Sequence, residues 1–215
     1  MFSLLLPLSS PTLIALIPGG AIGLETLSTQ SAYAQSDVDW FRSGEKKYSN
    51  GDYRGAINDF TKAIDINPQF ENAYRLRGFS RDNLDDHIGA IEDFTSIIEI
   101  NGDDSSAYAW RGSAKIDLDD YQGAITDLNQ AIEIDPMYGF AYFSRAYAKK
   151  YLNDIKGAIS DMSKAIELEP LDQYNYSSRG LLKEEMGDLE GACSDWRKAS
   201  ELGHETTAEW VRNQC

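Results

Sequence analysis

From Asp37 onward the apolar and polar positions of this chain follow one pattern that returns every 34 residues, five times, without slippage. The first half of each unit pairs an aromatic residue with a small residue four positions on: Trp40 with Gly44 (and Tyr48 beyond), Tyr74 with Gly78, Tyr108 with Gly112, Tyr142 with Ala146, Tyr176 with Gly180. The second half opens on Gly55-Ala56-Ile57, Gly89-Ala90-Ile91, Gly123-Ala124-Ile125, Gly157-Ala158-Ile159 and the altered Gly191-Ala192-Cys193. An aspartate follows each central alanine by three (Asp59, Asp93, Asp127, Asp161, Asp195). A large apolar residue and then a small one come next, as in Phe60 and Ala63, Leu128 and Ala131, Met162 and Ala165, Trp196 and Ala199; Ile97 takes the small position in the second copy. Residues three and four apart share a helical face, so each unit predicts two antiparallel helices. Small residues let those helices approach closely, and large ones fill the flanks. Gly-Asp or Asp-Asp pairs at 51–52, 85–86, 119–120 and 187–188 supply the turn between them. Pro68, Pro136 and Pro170 end three units, while Gly102 and His204 stand there in the other two. No such unit can bury its apolar face alone, so the units must stack.

A 34-residue helix–turn–helix unit with these small and aromatic positions resembles the tetratricopeptide repeat family over residues 37–204. The resemblance implies an all-α, right-handed α-solenoid of five helix pairs: 37–70, 71–104, 105–138, 139–172 and 173–206. Residues 205–215 then read as an extra helix capping the last apolar face.

Residues 1–34 fall outside the repeat. Leu4-Leu5-Leu6 and the stretch from Thr12 to Ile17 form an apolar region, and Ala32-Tyr33-Ala34 ahead of Gln35 is an A-x-A cleavage signature. The expectation is a secretory signal peptide cut between Ala34 and Gln35, with export to the periplasm or an equivalent extracytoplasmic compartment. No Lys or Arg precedes the apolar region, so an uncleaved membrane anchor stays open, although Pro7, Pro11, Pro18 and Gly19-Gly20 argue against a spanning helix, which needs ~20 apolar residues.

Export places the two cysteines, Cys193 and Cys215, in an oxidising compartment. In a hairpin turning near 203–204, equal rise along both helices sets Cys193 opposite residue ~214. A disulfide stapling the cap to the array is expected; the alternative is one buried and one terminal thiol.

The formal charge is −15 with no clustered basic stripe, which excludes a nucleic-acid partner. His87 and His204 lie far apart in the array, and His87 occupies a position held by Tyr53 and Tyr121 elsewhere. It reads as a packing substitution, and no His-based metal site or catalytic pair is expected. Asp117, Asp119 and Asp120 lack the glycine and distal glutamate of a calcium loop. No phosphate loop, nucleophile elbow or H-E-x-x-H is present. The reading is therefore not an enzyme, with no cofactor and no metal. Arg77, Arg111, Arg145 and Arg179 precede the small residue in four copies. Each is expected to pair with the aspartate of its own repeat's second helix or of the preceding repeat, as a structural ion-pair ladder.

The family resemblance also implies a concave groove lined by the first helices. Its mapped positions receive Phe41, Glu45 and Tyr48, then Arg75, Phe79, Asp82 and Asn83, then Ser113, Ile116 and Asp117, then Phe140, Phe143, Tyr147, Lys150 and Tyr151, then Tyr174, Leu181, Glu184 and Glu185. The aromatic concentration in the fourth repeat is the sharpest binding signal. The Lys/Asn clamp that grips C-terminal carboxylates in some family members is absent: Phe41, Arg75, Ala109, Phe143 and Ser177 stand at one of its positions. Two functions follow as expectations. One is a non-catalytic scaffold or adaptor holding a protein or extended peptide in the groove. The other is an assembly factor for an envelope or membrane complex, touching the membrane only through an uncleaved N-terminal segment.

Overall fold

A computed structural model describes residues 35–215; the segment expected to be a cleaved leader, residues 1–34, lies outside the described residues. Those described residues form eleven α-helices and no strand: α1 Asp37–Ser49, α2 Tyr53–Ile66, α3 Glu71–Asp82, α4 His87–Ile100, α5 Ser105–Asp117, α6 Tyr121–Ile134, α7 Gly139–Tyr151, α8 Ile155–Leu168, α9 Gln173–Glu185, α10 Leu189–Glu201 and α11 Glu205–Gln214. Each odd helix packs on the even helix after it, and each even helix on the next odd one, through to α11 on α10. First helices also touch across repeats, α1 with α3 and α5 with α7. The result is an α-solenoid whose first helices share one side.

One aspartate per repeat organises the turn. Gly51, Asp85, Asp119, Asn153 and Gly187 have φ between 60° and 82°, the left-handed conformation that ends a helix. The next residue (Asp52, Asp86, Asp120, Asp154 or Asp188) donates its N–H back to Lys47, Arg81, Lys115, Lys149 or Lys183 O at 2.8–2.9 Å. Its carboxylate then accepts the N–H of Gly55, Gly89, Gly123, Gly157 or Gly191 at 2.9–3.1 Å, capping the second helix. A Cβ on any of these glycines would overlap the capping carboxylate. The glycine of the Gly-Ala-Ile tripeptide is thus the room the cap requires.

Across the helix pair, each small residue faces a large one. A Cβ on Gly44 would stand 2.5 Å from Phe60 Cε1, and one on Gly112 2.9 Å from Leu128 Cγ. Gly78 faces Phe94 and Gly180 faces Trp196 in the same way. The fourth repeat has Ala146 instead, packed with the flexible Met162 in one cluster. Ala56, Ala90, Ala124, Ala158 and Ala192 are fully buried beside these contacts.

The arginines bind within their own repeat. Arg77 meets Asp93, Arg111 Asp127, Arg145 Asp161 and Arg179 Asp195 through two guanidinium nitrogens at 2.6–3.0 Å. A second cation joins each buried carboxylate: Arg81 at 3.0 Å, Lys115 and Lys149 at 2.7 Å, Lys183 at 2.8 Å. The remaining guanidinium nitrogen donates to the preceding repeat, to Thr61, Thr95, Asn129 or Ser163 at 2.7–3.2 Å. Each arginine therefore fastens its own hairpin and ties it to the one before. In the first repeat Ser43 and Lys47 hold Asp59, each at 2.6 Å.

The cap closes the far end. Trp210 and Val211 of α11 cover Ala192, Cys193 and Trp196, with the two indoles 5.4 Å apart. Cys193 and Cys215 are disulfide-bonded, with Cα atoms 5.7 Å apart.

Candidate partner-binding face and a His–Asp–Asp cluster

The mapped groove residues sit on the first helices, but they are not equally available. Phe41 packs on Phe70 at 4.7 Å and on Phe60 at 5.7 Å. Tyr48 meets Tyr53 edge-on at 5.5 Å, and burial pushes its phenol up from the ordinary value. Phe79 lies 4.8 Å from Trp110, which lies 4.4 Å from Phe140, so one string of rings crosses three repeats. Arg75 is held by Asp104 at 2.5 Å and Ser106 at 2.7 Å, bridging α3 to the start of α5. Burial opposes ionisation of Asp104, but Arg75, Ser106 and the Ala107 N–H outweigh it and hold this carboxyl below the usual range. Phe143 packs against the buried cluster of Ala146, Ala158, Met162 and Leu182.

The open part of the face is in the last repeats. Tyr147, Tyr151, Tyr174 and Leu181 are 43%, 50%, 58% and 38% exposed. Tyr121 stacks on Tyr151 at 4.7 Å, and the Tyr147 and Tyr151 hydroxyls lie 3.3 Å apart. Tyr121 donates to Asp119 at 2.5 Å, and that bond pushes its phenol up to about 12. Beside Tyr174, a cavity of about 220 Å³ is lined by Phe140, Phe143, Glu169, Asp172 and Asn175. The Asn175 side chain is buried, and its Nδ2 has no hydrogen-bond partner. Trp110, one residue past the mapped Ala109, and the two carboxylates of this cavity were not expected here. Their placement depends on how adjacent repeats dock.

The structure also corrects the expectation for His87. As expected it stands apart from His204, which caps α11 by accepting the Thr207 N–H at 3.3 Å, but it is not a packing substitution alone. Its Nδ1 lies 2.9 Å from Asp82 Oδ1, at the end of α3, and 3.9 Å from Asp117 Oδ2, at the end of α5. Burial pushes the Asp117 carboxyl up; His87 works against this, while the negative charges of Asp82 and Asp85 add to it. His87 is thus more than a packing substitution: it gathers two carboxylates into a group whose ligating atoms lie within 4.8 Å of one another. Among the described residues no helix is long and apolar enough to cross a membrane, and no cysteine is free.

Comparison with known proteins agrees with this architecture. Residues 44–81 match a family model described as TPR repeat, and residues 105–137 and 141–170 match one described as tetratricopeptide repeat. Among curated protein sequences none matches the chain. Among solved structures, a MamA protein is similar with a TM-score of 0.68 and 26% identity, over 81% of this chain and 94% of that one. TTC0263, a thermophilic TPR protein of Thermus thermophilus, aligns with a TM-score of 0.67 and 21% identity, over 82% and 96%. YrrB, described as a TPR protein with an unusual peptide-binding site, aligns with a TM-score of 0.64 and 15% identity, over 83% and 92%.

Proposed function

From the chain's membership of the tetratricopeptide-repeat family, we propose that it is a non-catalytic scaffold holding a protein or extended peptide partner against the side built by its first helices. The observation that carries this reading is the exposed apolar surface on α7 and α9: Tyr147, Tyr151 and Leu181, with Tyr174 at the start of α9. Monomeric proteins seldom leave such surface open without a use, and tyrosines bury much area at little entropic cost. Glu169 and Asp172 at the adjoining cavity favour a partner with a basic side chain next to its apolar anchor. The Cys193–Cys215 bond supports an oxidising, extracytoplasmic location.

The test is partner capture by the full chain from extracts of its source, compared with two variants. Tyr147→Ala with Leu181→Ala removes exposed rim while sparing the core that Phe143 helps build. Ile88→Ser alters an exposed apolar residue of α4, 64% accessible, away from this patch. The expected result is one partner lost in the first variant and retained in the second. Equal retention, or equal loss, in both would overturn the assignment.

A further inference from the structure

We propose that Asp82, His87 and Asp117 form a binding site for one divalent transition metal ion of Zn²⁺ type, joining the second and third repeats. The first support is geometry. A tetrahedral metal with ligands at ~2.1 Å sets neighbouring donor atoms ~3.4 Å apart. The Nδ1–Asp82 separation of 2.9 Å and the Nδ1–Asp117 separation of 3.9 Å each lie within ~0.5 Å of that, and the Asp117 carboxylate is half exposed. Both carboxylates approach the same nitrogen, so a single ion can reach all three donors.

The second support is charge balance. Every ladder aspartate from Asp93 to Asp195 has two cationic partners. Asp82 and Asp117 have only His87 within ion-pair distance among the described residues, and Asp85 adds further negative charge nearby. Like charges held this close are costly unless a cation joins them.

The third is comparison within the chain. The same three places in the repeat frame hold Tyr48, Tyr53 and Asn83 one repeat earlier, and Ile116, Tyr121 and Tyr151 one repeat later. There they make ring contacts, Tyr48 on Tyr53 and Tyr121 on Tyr151. At the junction of repeats two and three all three places carry metal ligands at once. The donor set selects the ion class: an imidazole with two carboxylates suits Zn²⁺, Co²⁺ or Ni²⁺ better than Mg²⁺ or Ca²⁺, which favour all-oxygen shells. Three protein donors leave coordination positions for water or for a carboxylate of the partner.

Calorimetric titration of the full chain with Zn²⁺ and Ni²⁺, with Mg²⁺ as comparator, tests the site. One equivalent of Zn²⁺ is expected to bind and to raise the melting temperature, with Mg²⁺ weaker. His87→Tyr installs the residue of the first and third repeats, so the hairpin keeps a compatible side chain; it should weaken Zn²⁺ binding at least ~10-fold. Asp117→Asn, at an exposed position, should do the same, and circular dichroism checks the fold of each variant. His204→Asn, which keeps a cap on α11, should bind as the parent does. No saturable Zn²⁺ binding by the parent, undiminished binding by His87→Tyr and Asp117→Asn, or loss in His204→Asn would overturn the proposal.

Discussion

Replacing Arg111 by methionine removes one guanidinium from the middle of the ladder while keeping an apolar stem of similar length. Arg111 holds the buried Asp127 through Nε at 2.9 Å and a terminal nitrogen at 2.7 Å, and reaches Thr95 of the preceding repeat at 3.2 Å. It also lies over the Tyr108 ring, 5.5 Å from its centroid. Breaking a buried ion pair from one side costs about 3–5 kcal/mol because the other charge is stranded. Here Lys115 stays 2.7 Å from Asp127 and carries part of the compensation. The cation–π contact adds about 0.5 kcal/mol. We therefore expect Arg111→Met to lose about 2–3 kcal/mol in urea unfolding followed by tryptophan fluorescence and far-UV circular dichroism together. Adding Asp127→Asn removes the stranded charge and should restore about 1 kcal/mol. A single variant within ~0.5 kcal/mol of the parent, or a double variant as unstable as the two singles summed, would refute this account.

Three further outcomes are expected. Gly180→Ala drives a methyl into Trp196; overpacking of about 1–3 kcal/mol outweighs the ~1 kcal/mol gained in helix propensity, so the melting temperature should fall, and a rise would show that the indole can give way. Cys215→Ser opens a loop of sequence separation 22, and chain entropy gives about 3 kcal/mol; the check is that α11 amides lose hydrogen-exchange protection before those of α5 and α6, and unchanged protection would count against the staple. Asp104 has a folded pKa below its unfolded value, so its contribution is complete above the unfolded carboxyl pKa of ~4 and is lost as pH falls through the lowered folded value; Asp104→Asn should flatten the acid limb of the stability curve, and an unaltered limb would rule this group out.

Much of the fold could be read from the sequence because its determinants are local. The small residue and its large partner lie 16 positions apart in every repeat, Gly44 with Phe60 and Gly112 with Leu128, and so do Arg77 and Asp93. One hairpin fixes both relations. The reason for the tripeptide glycine was less visible: it is the volume of a capping carboxylate three residues earlier, and no composition rule records it. The second cation of the ladder had a signal, a lysine four residues after Arg111, Arg145 and Arg179. The candidate face was read less well. Whether a ring on a first helix is open or covered depends on the next repeat, about 30 residues away, so Phe79 and Phe143 turned out packed while Tyr147 stayed accessible. His87 shows the same dependence, because its second carboxylate comes from α5.

The two ends of the array are fastened differently, and that gives its unravelling a direction. In the first repeat Asp59 is gripped by single-point donors, Ser43 and Lys47, where later repeats use a forked guanidinium. At the other end the chain is tethered covalently through Cys193 and Cys215. Fraying should therefore start at α1 and α2 and travel toward the cap, each hairpin releasing the guanidinium that clamps it from behind. A partner seated on α7 and α9 would lie on the segment that lets go last, so the binding end could remain ordered while the opposite end breathes.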